Sequence, residues 1–178
     1  MQHSSRTVLR RLAAESRGAE IAEAAAVLPL MFMMLLGIFW FGQAFSMYGT
    51  ITRAAQEGAR AGAAPYCATC SSPNTPGKNA SDAVTAALVI AKLDPNNARR
   101  PAPIPVFNSC GAPVSCDGAS ANVCVQGPVQ VNTGSTLPAV CGMSVTFQYP
   151  FQFWLPFTSL NKQQIWLTAS ARVRMETQ

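Results

Sequence analysis

The segment AAAVLPLMFMMLLGIFWFGQAFSMYGTIT, residues 24–52, runs for 29 residues without a single Asp, Glu, Lys or Arg. Its centre, from Leu30 to Phe41, is apolar on every side of a helix. About 20 apolar residues in a helix are enough to cross the ~30 Å hydrocarbon core of a bilayer. The sequence therefore predicts one transmembrane helix. A buried core helix is the competing interpretation, and the length of the segment disfavours it.

The composition of the whole chain agrees with a membrane-associated protein. Of its 178 residues, 49% are hydrophobic and only 12% are charged, whereas soluble domains contain about 25% charged residues. The length allows one ordinary domain, or a smaller domain with an anchor. A net charge of +5 without a basic cluster gives no support to nucleic-acid binding.

The distribution of arginines predicts the orientation of the helix. Cytoplasmic flanks carry the excess of positive charge, and more arginines precede the apolar segment than follow it. They are Arg6, Arg10, Arg11 and Arg17 before it, and Arg53 and Arg60 after it. We therefore expect a cytoplasmic N-terminus, with the chain outside the cytoplasm from about Gly49 onward. A cleaved signal peptide, with Ala-Gly-Ala at 61–63 as its cleavage site, is the rival interpretation, but the apolar segment exceeds an h-region of about 7–15 residues.

The string RGAEIAE, residues 17–23, joins this basic leader to the apolar segment. It resembles a type IV prepilin-like processing site, at which a dedicated peptidase cuts after the glycine on the cytoplasmic side. The resemblance implies a cut between Gly18 and Ala19, so that Glu23 becomes the fifth residue of the mature chain. A charged amine among apolar helices needs an anionic partner, which Glu23 of a neighbouring subunit would supply. The alternative is that Glu23 simply extends to the level of the lipid headgroups.

Two further motifs narrow the resemblance to one family. The string EAAAVLP, residues 23–29, is similar to the EFALVLP start of the TadE-like family, with Ala24 in place of the phenylalanine. The string AAQEGARA, residues 54–61, matches the second hallmark of that family. Its central residues are Glu57, Gly58, Ala59 and Arg60. Residues 168–176 resemble the closing strand of the family more loosely.

TadE-like proteins are minor pilin-like components, or pseudopilins, of the bacterial tight-adherence (Tad, Flp-type) pilus machinery. The resemblance implies a single-pass protein of the bacterial inner membrane, with its head in the periplasm or outside the cell. It also implies a prepilin peptidase, other pilins or pseudopilins, the pilus assembly platform and inner-membrane lipid as partners. The alternative function is that of an anchored extracytoplasmic binding or envelope protein that is never processed.

We expect three regions: a cytoplasmic leader at 1–18, a transmembrane and stalk helix at 19–64, and an extracytoplasmic α+β head at 65–178. The alanine-rich sequence at 51–64 favours a continuation of the helix, and Pro65 should end it. Pro29 lies in the first third of the apolar segment and should bend the helix or loosen it locally.

The head is predicted to combine a short helix with an antiparallel sheet. The helix is expected at 81–93, with Ser81 as its cap and Asp94-Pro95 as its end. A proline-rich linker follows at 99–105, and its two arginines are expected to be solvated, with ligand binding as the alternative. Strands are expected at 123–131, 143–153 and 165–175. Alternate residues of the second strand should share one face that packs on a helix, with an aromatic adhesive patch as the alternative. They are Val145, Phe147, Tyr149, Phe151 and Phe153.

Six cysteines lie beyond the apolar segment, at Cys67, Cys70, Cys110, Cys116, Cys124 and Cys141. Structural disulfides are the preferred interpretation in an oxidising compartment. The sequence leaves 15 pairings open, of which the closely spaced pairs Cys67–Cys70 and Cys110–Cys116 are the simplest. A redox motif or half of a zinc site at Cys67 and Cys70 remains an alternative.

Few residues suggest catalysis. The single histidine, His3, lies in the leader, so Ser-His-Asp and Cys-His chemistry has no histidine in the head. The acids of the head are scattered singly, and no glycine-rich phosphate loop is present. We therefore expect a protein that is not an enzyme, with no cofactor, no metal and no small-molecule substrate.

Overall fold

The computed structural model describes residues 16–64, 75–108, 110, 115–117, 120–132, 140–152 and 164–175. The elements are helix α1 (Ser16–Ala63), helix α2 (Pro76–Ile90), a 3-10 turn (Pro95–Asn97) and strands β1 (Cys124–Gln130), β2 (Cys141–Gln152) and β3 (Gln164–Arg174). The chain divides into two compact units, and the boundary lies within α1, between Gln43 and Ala44. The predicted α+β class, a long apolar helix followed by a small head, is confirmed.

Helix α1 runs without interruption for 48 residues. It ends at Ala63, shortly before Pro65, because the residue that precedes a proline avoids the α conformation. The predicted long helix is therefore present. The last part of α1, from Ala44 onward, belongs to the same compact unit as the head.

Helix α2 begins five residues before the position predicted from Ser81. Thr75 is the N-cap, since its side chain accepts a hydrogen bond from the Lys78 amide at 3.2 Å, and Pro76 occupies the first turn. Ser81 is instead buried, and its hydroxyl donates to the carbonyl of Lys78. The prediction of Ser81 as the cap was wrong because Thr75 and Pro76 together form a stronger start signal.

The end of α2 is closed by a Schellman arrangement. The amide of Leu93 donates to the Leu88 carbonyl, and the amide of Lys92 donates to the Val89 carbonyl, each at 2.9 Å. Lys92 adopts a φ of 59°, the left-handed conformation that this motif requires. The helix therefore stops at Ile90, before the Asp94-Pro95 pair that the sequence suggested as its end.

The three strands form one antiparallel sheet in the order β1-β2-β3. Strand β2 is central and pairs with β3 in continuous register from Gly142↔Arg174 to Gln152↔Gln164. The register of β1 against β2 shifts between Gln126 and Val129, where Pro128 has no amide hydrogen to donate. All three predicted strands are present among the described residues, at the predicted positions.

One face of the sheet forms the core of the head with the helices. From β2 it contributes Val145, Phe147 and Tyr149, all at most 5% exposed. Phe151 is also buried, at 5% exposed. Residues at helical spacing in α1, including Ile51, Ala55 and Ala59, are buried in the same core, as are Val84 and Leu88 of α2. Phe147 and Tyr149 therefore pack on helices, as predicted, and the adhesive-patch alternative is wrong for them. Phe153 lies outside the described residues.

The opposite face of the sheet is polar and is partly covered by the extended segment that follows Arg99. Gln126 donates from its side chain to the Pro105 carbonyl at 3.1 Å, and Arg172 stacks over the Phe107 ring. Arg99 pairs with Gln148 as an isolated bridge beside β2. The predicted linker is thus a covering segment of the sheet.

Two disulfides attach the loop before β1 to the sheet, and they correct the simplest predicted pairing. Cys110 bonds to Cys141 and Cys116 bonds to Cys124, so the pair Cys110–Cys116 was wrong. The Cys110 amide donates to the Pro128 carbonyl near the end of β1, which is the end that pairs with Cys141. Sequence spacing could not show this long-range pairing. Cys67 and Cys70 lie outside the described residues.

Gly58 provides a test of the contact between α1 and α2. A Cβ atom at position 58 would overlap the Val84 side chain and lie 3.0 Å from the Ala80 carbonyl oxygen, whereas at Gly49 it would meet nothing within 4 Å. We expect Gly58→Val to lower the free energy of unfolding by about 1–3 kcal/mol through overpacking. Thermal unfolding of the detergent-solubilised protein, followed by circular dichroism, measures the loss.

Gly49→Val is the matched control, because it makes the same change on an open part of the same helix. It should stay within about 0.5 kcal/mol of the parent. Equal losses in the two variants would show that the effect comes from valine in a helix and not from the contact between α1 and α2.

The two disulfides should differ in their contribution to stability. They close segments with sequence separations of 31 for Cys110–Cys141 and 8 for Cys116–Cys124. Loop-closure entropy then predicts losses of about 3.7 and about 2.5 kcal/mol when each pair is replaced by serine. Chemical denaturation of the two double variants tests this order. A larger loss for Cys116→Ser/Cys124→Ser would contradict the entropic account.

Candidate functional site

The N-terminal part of α1 presents apolar side chains that nothing in the described chain covers. Every residue from Glu20 to Leu36 is exposed, including Leu30 at 71% and Met33 at 75%. The best 18-residue window has a mean hydropathy of 2.2, and none of that window is buried. A helix with this apolar surface requires lipid or other helices around it. Its length and composition suit a single membrane span.

The residues predicted for processing and assembly lie at the beginning of this exposed helix. Gly18, Glu20 and Glu23 are all exposed, and Ala19 lies between them within α1. Residues 19 and 23 are four apart, so they lie on the same side of the helix. The backbone thus places the first and fifth residues of the predicted mature chain one turn apart.

Pro29 lies inside α1, and the helix continues on both sides of it. Its nitrogen has no hydrogen, so the carbonyl of Ala25 loses its usual partner in the helix. Membrane helices tolerate such a missing bond where neighbouring groups compensate. The bend or loosening expected at Pro29 stays a prediction.

The motif at 57–60 divides into two pairs with different environments. Gly58 and Ala59 are buried in the core of the head. Glu57 and Arg60 are exposed, and their side chains lie 3.7 Å apart, a surface pair that contributes little to stability. The motif therefore places two small residues where α1 meets the head, between two charged residues that face solvent.

Sequence reasoning missed the partner of Gly58 in this contact. A Cβ atom at Gly62 would lie 2.9 Å from the Ala80 Cβ atom and 3.1 Å from the Pro76 carbonyl oxygen. The spacing Gly58-x-x-x-Gly62 is a signal for close helix approach. This signal is present in the sequence itself.

The arginines of the predicted linker also make contacts within the head that the sequence pattern did not predict. Arg100 donates to the carbonyls of Asp117 and Ser120, which holds the linker against the loop before β1. Arg99 stacks on Trp166 with 3.3 Å between the guanidinium carbon and the ring centroid. Both partners are remote in sequence, so local pattern could not find them.

Among the described residues, no group of three or more His, Cys, Asp or Glu side chains could hold a metal ion. Cys110, Cys116, Cys124 and Cys141 are all in disulfides.

Comparison with known proteins connects this geometry to a family. No curated protein and no solved structure matches the chain. Residues 18–60 match the family described as TadE-like protein. The match begins at the glycine predicted for cleavage and ends at the last residue of the motif at 57–60. Residues 18–60 of α1 are therefore TadE-like, and the resemblance seen in the sequence is confirmed over these residues.

Proposed function

We propose that the chain is a minor pseudopilin of a bacterial Tad-type pilus. The observation that carries the proposal is the TadE-like match at residues 18–60, which falls on a helix with an uncovered apolar surface. In the membrane, close packing of this surface against the helices of other subunits would supply the attraction, because lipid tails are as apolar as the side chains and the hydrophobic effect does not act there. The protein would thus act by helix-helix assembly and not by catalysis.

Before assembly, the helix would lie in the bacterial inner membrane with the N-terminus in the cytoplasm. The excess of arginines upstream of the apolar segment supports this orientation. The disulfides of the head support an oxidising compartment on the other side. The cytoplasmic leader is then within reach of a prepilin peptidase.

Processing would create the charge that assembly needs. Cleavage after Gly18 would release the amine of Ala19 as a new positive charge, four residues before Glu23. In a bundle of apolar helices, both charges are costly unless they pair. Pairing the amine of one subunit with Glu23 of its neighbour would satisfy both and set the register between the two helices.

Processing is tested by the N-terminal mass of the membrane-extracted protein from cells that express the whole pilus system. We expect a chain that starts at Ala19 in the parent, and an uncut chain in Gly18→Ala. An intact start at Met1 in the parent would refute processing and favour an unprocessed, anchored envelope protein.

Glu23 is tested separately, in cells where processing is intact. Breaking a buried charge pair costs about 3–5 kcal/mol, so Glu23→Ala should lower incorporation into pili by at least about tenfold. Sheared pili, probed with an antibody to the head, measure this. The processed mass should be unchanged, which separates assembly from cleavage.

Glu20→Ala is the matched control, because Glu20 is an equally exposed glutamate one turn earlier on the same helix. It should assemble as the parent does. If the Glu20 and Glu23 variants were equally defective, general acidity near the membrane surface would explain the result, and the specific pairing would be wrong.

A further inference from the structure

The sheet face opposite the helices carries three exposed arginines. Arg172 and Arg174 alternate along β3 on this face, where their partners on β2 are Ser144 and Gly142. Arg99 joins them through its bridge to Gln148. None of these three arginines belongs to the TadE-like segment at residues 18–60. A function of this face would therefore be a property of the head.

Two of these arginines are held in place by aromatic rings. The guanidinium carbon of Arg99 lies 3.3 Å from the Trp166 ring centroid, and Arg99 Nε donates to Gln148 Oε1 at 3.1 Å. The guanidinium of Arg172 lies 4.0 Å from the Phe107 ring centroid. Stacking orders the planar group but uses none of its N–H donors. Each stack therefore presents an ordered cation with donors to spare.

No carboxylate of the described residues neutralises these cations. Among the described residues, the two ion pairs are Arg60–Glu57 and Lys78–Asp82. Neither pair includes an arginine of this sheet face. Asp94 caps the 3-10 turn, and Asp117 lies beside Gly77 of α2. Within the part of the chain that the structure describes, these three arginines thus form no ion pair, which favours an anionic ligand on the face.

Between the two stacks the sheet is lined with hydroxyl and amide groups. Thr168 and Ser170 are exposed there, and they contact the side chains of Gln148 at 3.2 Å and Thr146 at 3.1 Å. From Thr168 to Arg172 the strand advances about 13 Å. This polar floor with a cation at each end is long enough to contact several units of a polymer.

We infer that this face binds an acidic polysaccharide, with its carboxylates on Arg99 and Arg172 and its hydroxyls on Thr168 and Ser170. An acidic protein segment fits less well, because protein interfaces rely on buried apolar or aromatic anchors and the floor between the stacks offers none. A single-stranded nucleic acid needs bare rings for base stacking, and arginines cover both rings here. The inference goes beyond pilus assembly and does not depend on it.

The test measures binding of the detergent-solubilised full chain to immobilised polygalacturonate at low ionic strength. We expect saturable binding that weakens as salt is added. Fully methyl-esterified polygalacturonate keeps the hydroxyls and lacks the charge, and it should not bind measurably. Arg99→Gln and Arg172→Gln should each weaken binding about tenfold, the loss expected for one charge-assisted hydrogen bond.

Two variants distinguish a specific binding site from non-specific electrostatic attraction. Lys92→Gln removes one exposed cation at the end of α2 and should bind as the parent does. Arg172→Lys keeps the charge but loses the planar fork, so it should bind almost as weakly as Arg172→Gln. Unchanged disulfides and melting temperatures would show that all variants fold.

Three results would overturn the inference. The first is no binding of polygalacturonate by the parent. The second is binding by Arg172→Lys as tight as that of the parent, which would mean that net charge alone acts. The third is equal binding of poly-L-glutamate, per carboxylate, which would assign the face to an acidic protein segment.

Discussion

The apolar surface of helix α1 must be buried, and two different kinds of partner are needed along its length. The rest of the structure depends on this requirement. From Glu20 to Leu36 every residue of the helix is exposed, and lipid or the helices of other chains are suited to cover this apolar surface. From Ile51 onward it carries one buried face that is part of the core of the head. One continuous helix thus serves both as an external surface for association and as a structural element of a folded domain.

The change between these two roles is a change in side-chain size. The exposed part carries large apolar residues such as Phe32 and Met33, whereas the packed part carries alanine and glycine. Small residues let the backbones of α1 and α2 approach closely over the sheet, as the contacts at Gly58 and Gly62 show. A close approach makes the position of the head on the helix sensitive to single methyl groups. This gives a structural reason for the glycine and alanine in the motif at 57–60.

The head combines this tight core with a different kind of order on its other face. There, the covering segment after Arg99 is held by hydrogen bonds from Gln126 and Arg100 and by contacts between arginines and aromatic rings. Both disulfides attach the loop before β1 to the sheet. Polar and covalent contacts therefore organise the parts of the head that have too few apolar residues to form a second core.

The sequence alone determined the long apolar helix, the three strands and the TadE-like segment. Each of these depends on local information: an uncharged apolar run, period-two alternation in β2, and motifs such as the one at 57–60. For the same reason the position of α2 could have been better predicted, because Thr75 and Pro76 form a local start signal.

Only the tertiary structure decided which residues meet across long separations in the chain. Cys110 pairs with Cys141 and Arg99 stacks on Trp166, because strand register and the path of the covering segment bring them together. No local pattern encodes such contacts, since they depend on how all the elements pack at once. The sequence thus determined which helices and strands form and which of their faces are apolar. The packing of the sheet, helices and loops decided which residues lie next to each other on each face.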